Sequence, residues 1–341
     1  MGFSSSATAK KHHAVCIPFP TQGHITPMMM LAKILHSRDS TLHSSTLSTT
    51  TAASSSPAAR PPSTATPTFD SRLSPTVSPH PVSTAPRTSL PSASGIILNT
   101  FGSLESSVLK TMERILPPMY SIGPLPLLSQ QLTKSPLVAV ASNLWKEDTS
   151  CLEWLQGRKP GSVVYVNFGS TATITTGSYN KDFLWIIRPD LVKGDSAVLP
   201  EDFLRETQDR GLLSGWCPQE KVLGHPALGG FLTHSGWNST LESISSGVPM
   251  LCWPFFADQP TNCCFVCGEW GIGMEIDGDV RREEIQSLVA ELMDGEKGNE
   301  MRRRAREWKE RALDATKPSG TSSMNLDELV RKLSTAATGF A

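Results

Sequence analysis

The sequence lacks three features that would point to a membrane, a secreted or a nucleic-acid-binding protein. No run of about eighteen apolar residues occurs, and residues 1–13 are Ser-rich and then basic rather than apolar as in a signal peptide. Charge of neither sign prevails, because 31 Lys and Arg oppose 32 Asp and Glu for a net charge of -1. A basic or acidic binding face is therefore not indicated. We expect a soluble, cytoplasmic protein with small-molecule ligands, no nucleic acid partner and no integral membrane segment.

A disulfide framework is also missing. The chain has seven cysteines, an odd number scattered along its length, which is typical of a reducing compartment rather than of a small secreted domain. Cys263, Cys264 and Cys267 are close in sequence, but no second C-x-x-C pair or H-x-x-x-H group completes a set of four zinc ligands. We interpret them as buried thiols on a helix and predict no metal site.

Several nucleotide-binding fingerprints are absent. The sequence contains no G-x-x-x-x-G-K-S/T phosphate loop, no G-x-G-x-x-G turn and no repeat with a period of about 20 to 50 residues. These absences argue against P-loop enzymes and repeat proteins. A nicotinamide oxidoreductase remains an alternative with a similar fold but without its glycine fingerprint.

The length of 341 residues favours two domains, each with its own core. Residues 1–38 are predicted to be a fragment of an N-terminal domain, with a buried strand over 14–19, a polar turn over 21–24 and an amphipathic helix. His24 then lies where the end of a strand leads into a helix, which is the edge of an α/β sheet that binds ligands.

The composition changes after this fragment. Residues 39–94 are rich in Ser, Thr, Pro and Ala and poor in core-forming side chains, so we predict a low-complexity, disordered segment. Residues 95–135 are assigned to the remainder of the N-terminal domain, with a strand at 95–101 and a helix at 104–116. Residues 136–160 are assigned to a linker.

Residues 161–335 are predicted to form a C-terminal domain in which strands and helices alternate. This alternation indicates an α/β fold whose parallel sheet is covered on both faces. The predicted strands are 163–168, 183–187, 212–215, 230–233 and 249–253, and the predicted helices beyond residue 281 are 283–293, 301–315 and 326–333.

The strand that ends at Thr233 is followed by a polar turn and a helix that begins near Asn238. Unpaired amides and the positive end of the helix dipole would face outward there, which is an arrangement that binds phosphate. Gly236 lacks the Cβ that would block close approach, and Asn238 and Ser239 offer side-chain donors. An ordinary capped helix explains this piece alone equally well.

The whole stretch from Trp216 to Gln259 resembles the plant secondary product glycosyltransferase signature, the donor-binding segment of plant family-1 UDP-dependent glycosyltransferases. It carries the elements W-C-P-Q, T-H-S-G-W-N-S-T-L-E and F-A-D-Q in the family's order. Residues 18–27 and 164–170 are similar to two further motifs of the family. The resemblance implies an α/β fold of the GT-B type, with two Rossmann-like parallel-sheet domains of which the N-terminal one is incomplete.

The resemblance also implies a role for each matching residue. Trp216 would stack on uracil and Cys217 would meet the uracil edge through its main chain, while Gln219 and Glu242 would hold the ribose. The diphosphate would contact Ser170, His234, Asn238 and Ser239 beside Gly236. The sugar hydroxyls would contact Trp237, Asp258 and Gln259, and a glutamine at the last position implies glucose.

In this family His24 would be the catalytic residue, a general base that takes the proton of the acceptor hydroxyl. The reaction would invert the anomeric carbon and need no metal or other cofactor besides the UDP-sugar. A neutral imidazole suits this role near neutral pH. The partners implied are therefore a UDP-sugar and a small acceptor, such as a flavonol, because residues 183–192 are similar to a flavonol- and cyanohydrin-glucosylating group.

The chain departs from the family between residues 36 and 94. The family has there most of a domain, with the acceptor pocket and an Asp that orients the base, whereas Asp39 and Asp70 lie in no recognisable motif. A remnant that binds nucleotide-sugars without turnover is the alternative to an active UDP-glucosyltransferase.

Overall fold

The computed structural model describes residues 22–38, 93–132, 147–168, 181–187, 205, 207–277 and 282–336. The strand predicted at 14–19, residues 39–92 of the low-complexity segment, most of the predicted linker and Ser170 lie outside these ranges. The five predicted parts of the chain and their boundaries stay predictions.

The described elements follow one another in an order that alternates strands and helices in the second half. In chain order they are α1 Gln22–Arg38, β1 Ile96–Leu98, α2 Ser106–Met112, β2 Met119–Ser121, α3 Leu125–Gln130, α4 Ser150–Gln156, β3 Val163–Asn167, β4 Asp182–Ile186, β5 Gly211–Ser214, α5 Gln219–Leu223, β6 Leu228–Thr233, α6 Trp237–Ser246, β7 Met250–Cys252, α7 Gln259–Cys264, a π-helical turn Phe265–Glu269, β8 Gly273–Glu275, α8 Arg282–Asp294, α9 Glu296–Thr316 and α10 Thr321–Ala336.

The larger sheet has six strands in the order β5-β4-β3-β6-β7-β8, and every neighbouring pair is parallel. The predicted α/β fold with a parallel sheet is therefore confirmed. All five strands predicted for the second half are present, with ends shifted by up to two residues. The edge strand β8 escaped sequence analysis, because three residues beside glycines carry little periodic signal.

Alternate side chains of β3 enter two different cores. Val163 and Tyr165 belong to the core beneath α6 and α9, and Val164 and Val166 to the core beneath α8. Burial on both faces explains the continuous run of β-branched and aromatic residues in this strand. Gly230 on the neighbouring strand β6 has no room for a Cβ beside Leu292 of α8.

The shorter sheet pairs β1 and β2 in parallel, with Ile96 opposite Met119. A third core joins it to the helices at both ends of the described chain: Met30, Ile34 and Leu35 of α1, Tyr120 and Ile122, Leu125 and Leu128, and Leu326 and Leu329 of α10. Ser322 at the start of α10 also donates a hydrogen bond to Gly123 O over 2.6 Å. The last helix therefore packs on the N-terminal part.

The first helix begins earlier than expected. Residues 22–24 were predicted to be a turn, but α1 already includes them, so that prediction is wrong at these positions. The Gln22 side chain donates a hydrogen bond to Thr26 Oγ1 over 2.7 Å across the first turn, which provides a local contact that stabilises the helix start.

Two of three consecutive arginines on α9 have acidic partners on the same helix. Arg303 and Arg304 both bind Glu300, and Arg302 donates to the carbonyls of Leu292 and Met293 at the end of α8.

Among the described helices, none combines the length and apolar character needed to cross a bilayer.

We predict that Leu326→Ala lowers the free energy of unfolding by about 2–5 kcal/mol, because it leaves a cavity where α10 meets α1 and β2. Leu326 is fully buried, whereas Leu333 on the same helix is 46% exposed. Urea denaturation of both variants checks this. The control Leu333→Ala is expected to stay within about 0.5 kcal/mol of the parent chain, and equal losses in both would contradict the packing of α10.

Candidate functional site

The loop between β6 and α6 is held in an unusual conformation. Ser235 has φ 64°, in the left-handed region, and its carbonyl accepts a hydrogen bond from Asn262 Nδ2 over 2.9 Å. A Cβ at Gly236 would lie 2.5 Å from His234 Nε2, so glycine is required for the imidazole to fold back over the loop. The loop therefore presents the N-terminus of α6, with its unpaired amides, next to His234.

The imidazole of His234 is half-buried at the carboxyl end of β6. Its Nδ1 atom is buried without a hydrogen-bond partner among the described residues. Burial lowers the pKa of His234, against smaller opposing effects of the Asn167 main chain and of the Asp258 charge. A neutral imidazole beside a helix N-terminus is suited to a ligand that accepts or donates a hydrogen bond.

A network of polar side chains lies below this loop. Gln219 Nε2 donates to Glu242 Oε2 over 2.5 Å and to Ser239 Oγ over 3.0 Å. Gln219 Oε1 accepts hydrogen bonds from Tyr165 Oη over 3.0 Å and from Asn167 Nδ2 over 2.7 Å. The two residues expected at a ribose are thus adjacent, and both termini of the Gln219 amide are held in place.

Sequence analysis missed Tyr165 and Asn167. Both lie on β3 at positions that read as a buried strand, where a polar group has no visible partner in the sequence. Asn167 Nδ2 donates to Tyr165 Oη over 3.1 Å, so each of them helps to orient Gln219. Two polar residues at alternate positions near a strand end were the only available signal.

Glu242 is almost completely enclosed, with 8% of its surface exposed. Burial raises the pKa of Glu242 to about 8, with the nearby negative charge of Glu220 as a smaller cause, while the hydrogen bond from Gln219 acts in the opposite direction. The carboxyl group therefore carries a proton near neutral pH, and a bound hydroxyl pair would provide the polar partners that burial removes.

Trp216 follows β5 and is half-buried. Its carbonyl accepts a hydrogen bond from the Asp148 amide over 2.6 Å, and its indole Nε1 is buried without a partner among the described residues. The Cys217 side chain points inward, with Sγ 3.3 Å from Tyr165 Oη. Only the main chain of Cys217 is therefore placed to meet a ligand.

Asp258 and Gln259 stand at the start of α7 and differ in environment. Asp258 is exposed and accepts a hydrogen bond from Asn262 Nδ2 over 2.8 Å. Gln259 is buried, and its Oε1 accepts the amides of Phe255 over 2.9 Å and Phe256 over 3.2 Å. The oxygen of Gln259 is thus engaged by the preceding loop, which leaves its amide nitrogen as the group directed to other partners.

The indole of Trp237 is engaged away from the loop. Its Nε1 donates to Asn99 O over 2.9 Å, and its ring lies 6.3 Å from that of Trp270. The indole N–H is therefore not available for a sugar hydroxyl. A hydrogen bond from this residue to a ligand has to come from its main-chain amide in the first turn of α6.

One main-chain carbonyl of helix α1 has no donor within the helix and bonds to α6 instead. Pro27 has no N–H to donate to the carbonyl four residues earlier, and that carbonyl, Gly23 O, instead accepts a hydrogen bond from Asn238 Nδ2 over 2.7 Å. His24, which follows Gly23, is exposed on the same first turn. The predicted catalytic residue thus lies next to the N-terminus of α6.

A small cleft lies between α1 and α6. Thr26, Pro27 and Met30 line one side, and Asn238, Leu241 and Glu242 line the other. Hydrogen bonds join Gln219 to Ser239 and Glu242 and join Asn238 to Gly23, the residue before His24. The structure thus brings together residues expected at the ribose and the diphosphate, with the predicted base beside them. Ser170, Asp39 and Asp70 lie outside the described residues, so their predicted roles are not located.

Comparison with known proteins identifies relatives of this arrangement. Residues 175–311 match the family "UDP-glucoronosyl and UDP-glucosyl transferase". The 7-deoxyloganetin glucosyltransferase of Gardenia jasminoides is 58% identical over 252 residues, which are 71% of this chain and 52% of that protein. The (R)-mandelonitrile beta-glucosyltransferase of Prunus dulcis is 54% identical over 253 residues, again 71% and 52%.

A solved structure shares the fold. Phytolacca americana UGT2, complexed with UDP-2fluoro-glucose and pterostilbene, superposes with a TM-score of 0.57 at 34% identity, over 70% of this chain and 53% of that one. The GT-B fold implied by the sequence is confirmed. The chain spans about half the length of the curated relatives that it matches.

We predict that Glu242→Gln makes the chain progressively more stable than the parent between pH 4.5 and 8. In this range the unfolded parent loses the Glu242 proton while the folded parent keeps it, so the parent's free energy of unfolding falls as pH rises. The neutral amide of the variant does not lose stability in this way. At pH 9 the free energy of unfolding of the variant should therefore exceed that of the parent by about 1–4 kcal/mol.

Urea denaturation of both proteins between pH 4 and pH 9 checks the prediction. Glu153→Gln, at an exposed glutamate of α4, is the matched control and should follow the parent at every pH. A constant difference between Glu242→Gln and the parent across the range would contradict the raised pKa.

Proposed function

The chain belongs to the UDP-glucoronosyl and UDP-glucosyl transferase family, and we propose that it binds a UDP-sugar and transfers the sugar to a hydroxyl of a small plant metabolite. The observation that carries this proposal is the convergence of the Gln219–Glu242 pair, His234 and the N-terminus of α6 in one site. These groups match a ribose diol next to a diphosphate.

The nucleoside half of the donor would lie along β5 and α5. Trp216 would stack on uracil and the main chain of Cys217 would meet the base edge. Glu242 would form hydrogen bonds with the ribose hydroxyls, and Gln219 would reach them from the same side. The Tyr165 and Asn167 bonds to Gln219 support this by fixing its orientation before the ligand arrives.

The diphosphate would lie at the N-terminus of α6. The amides of the first turn, His234 and the side chains of Asn238 and Ser239 would donate hydrogen bonds to it, with Ser170 as a further proposed contact. Gly236 supports this by letting His234 fold over the loop. Charge that develops on the leaving diphosphate would be stabilised there by the helix end, so the transfer needs no metal.

The sugar would contact Asp258 and Gln259 in front of α7. Asp258, which is exposed, can accept from two hydroxyls, while the Gln259 amide nitrogen can donate to another because its oxygen is held by the 255–256 amides. This complementary pair favours a sugar with adjacent equatorial hydroxyls, and we propose glucose. Trp237 would add its main-chain amide.

His24 would act as the general base. It would take the proton of the acceptor hydroxyl, whose oxygen forms a bond to the anomeric carbon as the bond from that carbon to the phosphate oxygen breaks. The electron pair leaves with UDP, and attack opposite the leaving group inverts the configuration. The bond between Asn238 and Gly23 O supports this role because it fixes the first turn of α1 beside the phosphate site.

The acceptor is proposed only as a small molecule with a hydroxyl. The relatives are named for 7-deoxyloganetin and (R)-mandelonitrile, and neither is a flavonol. The flavonol inferred from residues 183–192 stays a prediction, so an acceptor panel should include all three kinds of compound.

A second candidate is binding of the nucleotide-sugar without turnover. It is favoured by one observation: the described donor residues form a nearly complete set, whereas the described N-terminal part provides the acceptor side with little more than α1 and the segment around Asn99. Turnover by the purified chain would exclude this candidate.

We predict that Trp216→Ala weakens UDP binding by about 1–3 kcal/mol, the range for loss of a base stacked on an aromatic side chain. Isothermal titration of the purified chain with UDP measures it. Trp308→Ala, which removes a half-buried indole on α9, serves as the control and should retain the parent affinity. Unchanged affinity of Trp216→Ala would refute the position assigned to uracil.

We also predict that the chain releases UDP from UDP-glucose when an acceptor is present, and that His24→Ala lowers this rate by about 100-fold or more. UDP affinity of the variant should stay within about 0.5 kcal/mol of the parent. An assay for UDP release, run on the samples used for titration, distinguishes sugar transfer from binding without turnover. Binding without turnover in the parent supports the second candidate, and equal turnover in parent and variant contradicts the role of His24.

A further inference from the structure

Three cysteines from different secondary-structure elements lie close together near the start of α7. Cys252 ends β7, Cys263 lies on α7 and Cys267 lies in the π-helical turn. Their sulfur atoms all lie within 4.8 Å of one another. Neither their role nor their proximity is used by the proposed transferase chemistry.

The secondary structure accounts for the cluster. Cys263 and Cys267 are four residues apart on one continuous helical segment and so share a face, which places their sulfurs 3.9 Å apart. Gly273 on β8 lets this strand pack closely against the π-helical turn, because a Cβ there would lie 2.5 Å from Val266 Cγ1. The three thiols thus converge without a disulfide among them.

A fourth ligand is available from the neighbouring strand. Glu275 is the register partner of Cys252 in the parallel pair of β7 and β8, so their side chains leave the sheet on the same face. The Glu275 carboxyl is also a hydrogen-bonding neighbour of the Cys263 thiol. The Glu275 carboxylate lies outside the group of ligand atoms within 4.8 Å of one another, and after a change of side-chain rotamer it could supply the fourth ligand of a tetrahedral ion.

The spacing matches a thiophilic divalent cation. With metal–sulfur bonds of about 2.3 Å, the sulfurs of a tetrahedral zinc site are about 3.8 Å apart, close to the 3.9 Å between Cys263 and Cys267. Cys252 needs only a small shift from within 4.8 Å. Cys267 is half-buried and Glu275 is exposed, so the ion has a path from solvent.

We propose that Cys252, Cys263, Cys267 and Glu275 form a structural site for a thiophilic divalent cation such as Zn²⁺. Bound metal would join the end of β7 to α7 and to β8. It would thereby hold both ends of the loop 253–258, which carries Asp258 and leads into Gln259. The site is separate from the transfer chemistry, and its test needs no nucleotide.

The experiment is a titration of the full chain, reduced with a phosphine, with Co²⁺ and then with Zn²⁺. Tetrahedral Co²⁺ bound to thiolates shows sulfur-to-metal charge-transfer absorption and intense visible bands, which Zn²⁺ should abolish by displacement. We expect one equivalent of Co²⁺ to bind the parent chain. Cys264→Ala is the matched control, since this cysteine is exposed on the same helix, and it should behave as the parent does.

We expect variants that lack one of the proposed metal ligands to bind the metal less well than the parent chain does. Cys267→Ala and Cys252→Ala should lose the charge-transfer absorption, and Glu275→Gln should weaken Zn²⁺ binding by about tenfold or more. Zn²⁺ should raise the thermal unfolding midpoint of the parent and of Cys264→Ala but not that of Cys267→Ala, the half-buried and therefore least disruptive ligand variant. A folded parent without thiolate-to-cobalt absorption, or absorption that survives Cys267→Ala, overturns the proposal.

Discussion

A single carbonyl group, that of Gly23, connects the two ends of the candidate site. Pro27 cannot donate to it within α1, so the carbonyl is free to accept from Asn238 on α6, more than two hundred residues later in the chain. A non-proline residue at position 27 would offer a competing donor inside the helix. His24 therefore lies beside the N-terminus of α6 because one hydrogen bond within α1 is missing and its acceptor is free for Asn238.

Other contacts between the same two parts reinforce this position. The Trp237 indole donates to Asn99 O, and α10 returns to the shorter sheet, where Ser322 and Asn325 donate to Gly123 O and Ser121 O. Helix ends and loops have unpaired carbonyls that need partners when buried. Hydrogen bonds from distant segments meet that need and hold the N-terminal part, with His24, against the part that carries the predicted donor-binding residues.

Burial and hydrogen bonds fix the conformation of two residues that we propose to bind the ribose. Gln219 has partners at both ends of its amide, and Glu242 is kept protonated near neutral pH by its enclosure. A polar group enclosed in this way is stable only when its hydrogen bonds are satisfied. The thiol cluster has a different origin, since its three sulfurs come together where the end of β7, α7 and the π-helical turn meet.

The sequence by itself determined the parallel α/β fold of the second half and the family, because strand and helix periodicities and the dense motif from Trp216 to Gln259 are local patterns. Only the tertiary structure decided that Tyr165 and Asn167 orient Gln219, that the Trp237 indole turns away from the loop, and that Cys252 and Glu275 join Cys263 and Cys267. It also corrected residues 22–24 from turn to helix. These features depend on contacts between distant segments, and neither residue spacing nor side-chain type along one segment reveals which buried group will face which.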